Sequence, residues 1–162
     1  MTYCVGLLLE KGLVFMSDTR TNSGVDNLSV FQKMFTWTEP GERLITIMTA
    51  GNLATTQCLV SLLDERSKTP EDRDPSILKV SSMFQAAKLI GDTLREIILD
   101  TSPTGLSGDS SFSANIILGG QIKGGQQRLF LIYPEGNFIE ASKDTPFFQS
   151  GETKYGRPIL VR

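Results

Sequence analysis

The chain has 162 residues, of which 40% are hydrophobic and 21% are charged, a balance typical of one globular domain. Its formal net charge of −2 gives no electrostatic basis for binding nucleic acid or an anionic membrane surface. It contains no histidine, which excludes serine–histidine and cysteine–histidine catalysis and every histidine metal site. A hydrolase would need another base that is neutral near pH 7, either the α-amino terminus (ordinary pKa about 7.7–8.0) or a desolvated lysine.

The first strands are predicted from short apolar runs. Residues 3–9 and 13–16 are expected to form a hairpin around Lys11-Gly12, and residues 34–38 and 43–49 a second one around Pro40-Gly41. Residues 17–22 are expected to leave the second strand as a polar loop.

The hydrophobic period then becomes helical. It predicts a helix over 53–67 and a longer one over 76–100, separated by a charged loop that contains Pro70 and Pro75. Strands are predicted again over 113–119, 127–133 and 137–141, and residues 147–151 are expected to enter a loop. Strands, two helices and further strands in this order indicate an α+β fold with an antiparallel sheet.

The two cysteines, Cys4 and Cys58, are too few for a disulfide framework or a zinc site and are expected to be small buried hydrophobes. No metal and no cofactor is predicted. No stretch approaches the ~20 apolar residues that span a bilayer. The apolar residues 3–9 also lack the preceding basic residues of a signal peptide. We therefore expect a cytoplasmic protein that binds neither membranes nor nucleic acid.

Thr2 is the first candidate for chemistry. Removal of Met1, which precedes a small residue, would leave a threonine with a free α-amine at the head of the chain. A threonine hydroxyl activated by that amine is a recognised nucleophile, and it needs no histidine. Threonine is also an ordinary residue at the start of a strand, so Thr2 alone leaves both interpretations open.

Three further residues are candidates. Lys33 lies in the apolar stretch FQKMF, where its ammonium would lower the pKa of a nearby amine and where Asp18 would hold it charged. Gly51 joins a strand to a helix, so a backbone N–H there would suit an oxyanion hole. The alternatives are a solvated strand lysine, a loop aspartate bonded to its own backbone and a simple turn glycine.

These residues occur in an order that resembles a known family. A threonine after Met1, the motif Ser17-Asp18-Thr19-Arg20, Lys33 further on and Thr49-Ala50-Gly51 before a helix resemble the proteasome-type β-subunit peptidases. The stretches MTYCVGLLLEKGLVFMSDTRTNSGVDN, TAGNLATTQ and GETKYGRPIL resemble most its bacterial branch called Anbu, the ancestral β-subunit-like proteins. The resemblance runs along essentially the whole chain.

The resemblance implies an N-terminal-nucleophile hydrolase fold, with two stacked antiparallel sheets flanked by helices (αββα). It implies one domain over residues 1–162 and self-assembly into homo-oligomeric rings or helical stacks. Thr2 would be the catalytic nucleophile, Asp18 and Lys33 the charged pair that tunes it, and the Gly51 N–H an oxyanion donor.

The resemblance also implies a peptide or unfolded-protein substrate. The backbone at Asn22 would pair with an extended peptide, and Thr21, Thr49 and Leu53 would lie near the pocket for its side chain. The chain has no GxxxxGK[ST] motif, so an ATPase that unfolds substrates would be a separate chain.

Two features depart from the family pattern. Glu152 stands where a serine usually follows the turn that corresponds to Ser150-Gly151, so the supporting hydroxyl is either missing or supplied by Thr153. Family members also continue for several elements past Arg162, so the second helical layer is expected to be missing and one sheet face uncovered. These departures motivate an alternative, a non-catalytic subunit of a proteasome-like assembly. A small-molecule amidohydrolase on the same scaffold is a third hypothesis.

Overall fold

A computed structural model describes residues 2–22, 28–68, 75–101 and 110–151, with the backbone alone described at 20–22, 28–29 and 110. These residues contain ten strands, two α-helices and one short 3-10 helix. The strands are β1 Tyr3–Leu9, β2 Gly12–Ser17, β3 Arg20–Asn22, β4 Leu28–Val30, β5 Met34–Glu39, β6 Arg43–Gly51, β7 Ala114–Ile122, β8 Arg128–Ile132, β9 Phe138–Glu140 and β10 Phe147–Gly151. The helices are α1 Leu53–Ser67 and α2 Met83–Thr101, and the 3-10 helix is Ser110–Phe112.

The strands form two stacked antiparallel sheets and a separate hairpin. The larger sheet has the order β5-β6-β7-β8-β9, the smaller has the order β10-β1-β2, and β3 pairs with β4. Alternate side chains of a strand point to opposite faces. Thus Ile45 and Ile47 of β6 pack with both helices, whereas Met48 packs toward the smaller sheet. The layers are helices, larger sheet and smaller sheet, which confirms the α+β prediction with two stacked sheets.

The first helix begins and ends as predicted, but the second begins later. Asn52 caps α1, because its side chain accepts a hydrogen bond of 3.0 Å from the Thr55 N–H. Ser82 accepts similarly from the Gln85 N–H at 3.2 Å, and α2 therefore begins at Met83 rather than at residue 76. The preceding residues form a turn that places Ile77 in the core.

Two segments that were predicted to be loops are strands, so these predictions were wrong. Arg20–Asn22 is polar and lacks a strand-like pattern, yet its backbone pairs with Leu28–Val30. Phe147–Gly151 pairs with β1, and Phe148 packs between the two sheets. Two consecutive phenylalanines hide the alternation that would have marked this strand.

The cysteines lie in different environments. Cys4 is buried in β1, as expected, whereas Cys58 lies on the exposed side of α1. The prediction for Cys58 was wrong because the helical period places it beside the core stripe rather than within it. No helix within the described ranges has the length and hydropathy that crossing a membrane requires.

Helix α2 touches the β8–β9 turn backbone to backbone. A Cβ atom on Gly91 would lie 2.2 Å from the carbonyl oxygen of Gly136. Gly136 has a φ of +85°, and a Cβ there would lie 2.7 Å from the Gly91 carbonyl oxygen. Both positions therefore require glycine, and together they fix how closely α2 lies on the larger sheet.

We expect Gly91→Ala to destabilise the fold by about 1–3 kcal/mol, because the new methyl group would force the helix away from the turn. Helix propensity alone predicts the opposite, a gain of about 0.5–1 kcal/mol. Chemical denaturation would measure the free energy of unfolding. Gln85→Ala, at an exposed position of the same helix, should change it by less than about 0.5 kcal/mol. A Gly91→Ala variant more stable than the parent would contradict the close approach.

Candidate functional site

The β3–β4 hairpin brings Asp18 and Lys33 together. The pairing of Arg20 with Val30 is extended toward the open end of the hairpin by a bond of 2.9 Å from the Phe31 N–H to the Thr19 carbonyl. Asp18 precedes one strand and Lys33 follows the other. The hairpin therefore closes the chain so that the two side chains lie on neighbouring segments.

The Asp18 carboxylate binds both a side chain and the backbone of β1. Lys33 Nζ lies 2.8 Å from its Oδ1 and 2.9 Å from its Oδ2. The Tyr3 N–H donates to the same Oδ1 at 2.8 Å, and the Asp18 N–H donates to the Tyr3 carbonyl at 3.1 Å. One carboxylate thus fixes the head of β1 relative to the ammonium group.

Lys33 is a buried cation, with 5% of its surface exposed. An ammonium removed from water needs compensation by a counter-ion and by hydrogen bonds, and Asp18 supplies both. The Asp18 side chain is 35% exposed, so water screens the attraction and the pair adds less to stability than its short contacts indicate. Its main structural effect is to hold Lys33 in one position.

Thr2 is half-buried and immediately precedes β1. On the side opposite Asp18, Tyr3 pairs with Gly151 of β10. Gly151 has a φ of +105°, and a Cβ on it would lie 1.9 Å from the Thr2 carbonyl oxygen. The backbone of β10 therefore approaches Thr2 at a distance that only glycine allows.

The end of β6 and the start of α1 contribute three further predicted residues, Thr49, Gly51 and Leu53. Thr49 is buried, and its N–H donates to the Lys33 carbonyl at 2.9 Å. Gly51 ends β6 with a φ of +123°, and a Cβ there would lie 2.4 Å from the Ser113 carbonyl oxygen. Leu53 is the first residue of α1 and is half-buried. The end of β6 is therefore hydrogen-bonded to the backbone of Lys33, and it lies at the N-terminal, positive end of helix α1.

Other predicted residues are described in part or not at all. Thr21 pairs with Ser29 and Asn22 pairs with Leu28 in the β3–β4 hairpin, and only their backbones are described. Glu152 and Thr153, which matter for the supporting hydroxyl, lie outside the described residues.

Cys4 follows Tyr3 in β1 and was not predicted to belong to the site. Its thiol is fully buried, and its Sγ lies 3.7 Å from the Thr49 carbonyl oxygen, to which it donates. Burial raises the pKa of this thiol to about 12. The nearby charge of Lys33 lowers the pKa by a smaller amount, and the charge of Asp18 raises it. The thiol is therefore neutral over the whole physiological range.

The geometry joins a fixed ammonium, a carboxylate and the head of β1 within one short hydrogen-bonded unit. Among the described residues, no group of three or more cysteine, aspartate or glutamate side chains could hold a metal ion. Sequence reasoning missed Gly151 and Cys4, since both act through neighbours that are distant along the chain. The only local signal for Gly151 was the Ser150-Gly151 dipeptide, which was interpreted as part of a loop.

Comparisons with known proteins give matches only among solved structures. No protein-family model matches this chain, and no curated protein sequence matches it. The chain is 52% identical to the Anbu (ancestral β-subunit) protein from Yersinia bercovieri, with a TM-score of 0.91 over 99% of this chain and 65% of that one.

Two further solved structures are similar. Anbu from Hyphomicrobium sp. strain MC1 is 50% identical, with a TM-score of 0.86 over 99% of this chain and 65% of that one. The Anbu complex from Pseudomonas aeruginosa, a helical assembly, is 48% identical, with a TM-score of 0.89 over the same shares of both chains. The chain therefore spans about two thirds of the length of these relatives, 65% in each case.

We expect Gly151→Ala to lower the free energy of unfolding by at least about 1 kcal/mol more than Gly124→Ala. Both glycines have a positive φ, +105° and +82°, but nothing lies within 4 Å of a Cβ on Gly124. The control therefore measures backbone strain alone, and the difference measures the collision with Thr2. Denaturant unfolding of the two variants checks this, and equal losses would show that β10 does not restrict Thr2.

The two cysteines should differ in reactivity with iodoacetamide. Because a raised pKa leaves less thiolate at any given pH, a thiol with a pKa of about 12 is roughly 1% ionised at pH 10. In the folded protein, Cys58 should be labelled at pH 8 and Cys4 should stay unlabelled even at pH 10. Both should react in denaturant. Peptide mass spectrometry distinguishes the sites, and rapid native labelling of Cys4 would contradict its burial.

Proposed function

This chain belongs to the Anbu family of proteasome-related β-subunits, and from that premise we propose that it is an N-terminal threonine hydrolase that cleaves peptide or amide bonds. The observation that carries the proposal is the Asp18–Lys33 pair, which is bonded to the backbone at the head of β1. We assign residues 1–162 to a single proteasome-type domain.

The proposed reaction begins once Met1 has been removed. The α-amine of Thr2 takes the proton of its own hydroxyl, directly or through water, and the hydroxyl oxygen attacks the substrate carbonyl. The amine end of the cleaved bond leaves with a proton, an ester forms on Thr2, and water hydrolyses it. A chain without histidine has this amine as a base with a pKa near neutrality.

Lys33 and Asp18 tune the amine in this proposal. The Lys33 ammonium disfavours a second positive charge nearby, so it lowers the pKa of the Thr2 amine and keeps it unprotonated. Asp18 binds Lys33 and the Tyr3 N–H through the same oxygen, and it therefore sets the distance between ammonium and amine. The backbone N–H at Gly51 serves the oxyanion that develops during attack.

The proposed substrate is an extended peptide. The β3 strand would offer backbone groups at Asn22 for pairing with such a peptide, a common mode of peptide recognition. Thr21, Thr49 and Leu53 would line the pocket for the substrate side chain. Thr49 and Leu53 flank Gly51 in the chain, so the pocket and the oxyanion donor would be built by the same strand end.

We also propose that the protein self-assembles. The Anbu complex of Pseudomonas aeruginosa is a helical assembly, and a homo-oligomeric ring or helical stack is proposed for this chain by similarity. An unfolding ATPase, if one participates, is a separate chain, because this sequence has no phosphate-binding loop motif.

A non-catalytic assembly subunit is the second candidate function. Glu152 directly follows Gly151, the residue packed against Thr2, where the family resemblance implies a serine. A subunit without the supporting hydroxyl would retain the fold and the capacity to assemble but would not turn over substrate.

The intact mass of the protein and the activity of its variants distinguish the hydrolase from the non-catalytic assembly subunit. We expect the intact mass of the purified protein to show a chain that begins at Thr2. Thr2→Ala and one extra residue ahead of Thr2 should each abolish hydrolysis of a fluorogenic peptide. Lys33→Ala should lower it by about 10²-fold or more while the fold persists.

Lys88→Ala is the matched control for Lys33→Ala. Lys88 forms an exposed pair of 2.9 Å with Asp92 on α2, so its loss should leave activity and stability nearly unchanged. Retained Met1 in the folded assembly, or equal turnover by Thr2→Ala, would exclude the catalytic proposal and favour the assembly subunit.

A further inference from the structure

The Cys4 thiol connects β1, the strand that follows Thr2, to the end of β6, which is hydrogen-bonded to the backbone of Lys33. Its side chain has no exposed surface, and Sγ donates to the Thr49 carbonyl at 3.7 Å. The Thr49 N–H donates in turn to the Lys33 carbonyl at 2.9 Å. The short path Cys4–Thr49–Lys33, here called the Cys4–Thr49 tie, therefore runs from β1 through β6 to the backbone of Lys33.

The tie completes a ring of contacts around the charged pair. On the other side, Lys33 Nζ binds Asp18, and Asp18 Oδ1 accepts the N–H of Tyr3, the neighbour of Cys4. Lys33 is thus held at both ends, its side chain through Asp18 and its backbone through Thr49. Because both paths return to adjacent residues of β1, they fix the position of the ammonium relative to the head of that strand.

The position of Thr49 in the sheet places its carbonyl where a side chain of the smaller sheet reaches it. The β5–β6 ladder pairs Met34 with Met48, and the Thr49–Lys33 bond lies immediately beyond this pair. Strand β5 begins at Met34, so the Thr49 carbonyl lies at the end of the ladder. A donor from the smaller sheet at this point connects the two sheets at the same end as Thr2.

A thiol suits this position better than a group that ionises. Lys33 attracts a negative charge, but burial dominates and keeps the pKa of Cys4 at about 12. The thiol therefore remains a donor at neutral pH and does not become a second anion that competes with Asp18 for Lys33. It is also small enough for a site between two sheets where packing is close.

We propose that Cys4 is a positioning residue of the proposed hydrolase, which sets the distance between the Lys33 ammonium and the Thr2 amine through the Cys4–Thr49 tie. This inference rests on the proposed function. Asp18 and Lys33 are the charged groups that the contacts place at this point, and the neutral Cys4 thiol is joined to Lys33 through Thr49. Loosening the tie would move the ammonium away and raise the pKa of the Thr2 amine.

Three variants test this role. Cys4→Ala removes the donor, Cys4→Ser keeps a donor of similar size, and Cys58→Ala is the control at the exposed cysteine. The full chain would be treated with a peptide vinyl sulfone, which alkylates an N-terminal threonine, and the rate of Thr2 modification would be followed by mass spectrometry from pH 5 to 10. The fraction that lacks Met1 normalises each rate, and amide hydrogen exchange at Thr49 is measured in parallel.

We expect Cys4→Ala to slow Thr2 modification about threefold to tenfold and to move the inflection of the pH profile to a higher pH. Cys4→Ser should restore the rate and the inflection, and Cys58→Ala should change neither. If Cys4→Ala lowers only the amount of folded protein, while the rate per folded molecule and the inflection stay unchanged, the positioning role is wrong.

The hydrogen-exchange measurement separates this inference from the proposed function. If the parent protein is not modified at Thr2, the proposed hydrolase function is wrong. The exchange rate of the Thr49 amide then still tests whether the Cys4–Thr49 tie holds this part of the structure. Exchange about threefold to tenfold faster in Cys4→Ala than in Cys4→Ser supports the tie. Equal exchange in the two variants overturns it.

Discussion

The Asp18 carboxylate is the contact on which the arrangement around Thr2 depends. An ionised carboxylate accepts several hydrogen bonds at once, and this one takes the Lys33 ammonium and the Tyr3 N–H on a shared oxygen. A lysine brought near a chain terminus without such a partner would be a buried charge with many rotamers. The carboxylate removes that freedom because Asp18 is itself held by the hydrogen bond from its backbone N–H to the Tyr3 carbonyl. The charge, the strand and the loop are therefore positioned together.

The two sheets provide the frame for this contact through small residues. Along the inner face of the smaller sheet, Cys4 pairs with Ser17 on one side and Ser150 on the other. Further in, a Cβ on Gly6 would lie 3.0 Å from Ile117, and a Cβ on Gly119 would lie 2.6 Å from the Phe15 ring. Small residues on one sheet thus make room for large ones on the other, and the charged pair lies at the end of the sandwich rather than inside it.

Sequence patterns predicted the elements whose signals are local. Helix α1 was predicted with its observed bounds because its apolar residues follow one helical period, and the structure adds Asn52 as its N-terminal cap. The start of α2 was misplaced because Ile77 continues the apolar face of the helix although it lies in a turn. Strands β3 and β10 were missed because pairing across the chain, not composition, makes them strands. The order of Thr2, Asp18 and Lys33 indicated the family. No local pattern marked Gly151 or Cys4 as part of the site, because their contacts are with residues distant in the chain.

The hairpin and the strand pairing around Thr2 also differ in how far apart their partners lie in the chain. The Asp18–Lys33 contact closes a separation of 15 residues, whereas the bond from the Tyr3 hydroxyl to the Gln149 side chain closes one of 146. The entropic cost of closing a loop rises with its length, and non-local strand pairing is the slower event in folding. The charged pair thus joins residues that are close in the chain, whereas the contact of Thr2 with β10 joins the two ends of the described chain. Thr2 would consequently be held in place only in a chain whose strand β10 has already joined the smaller sheet.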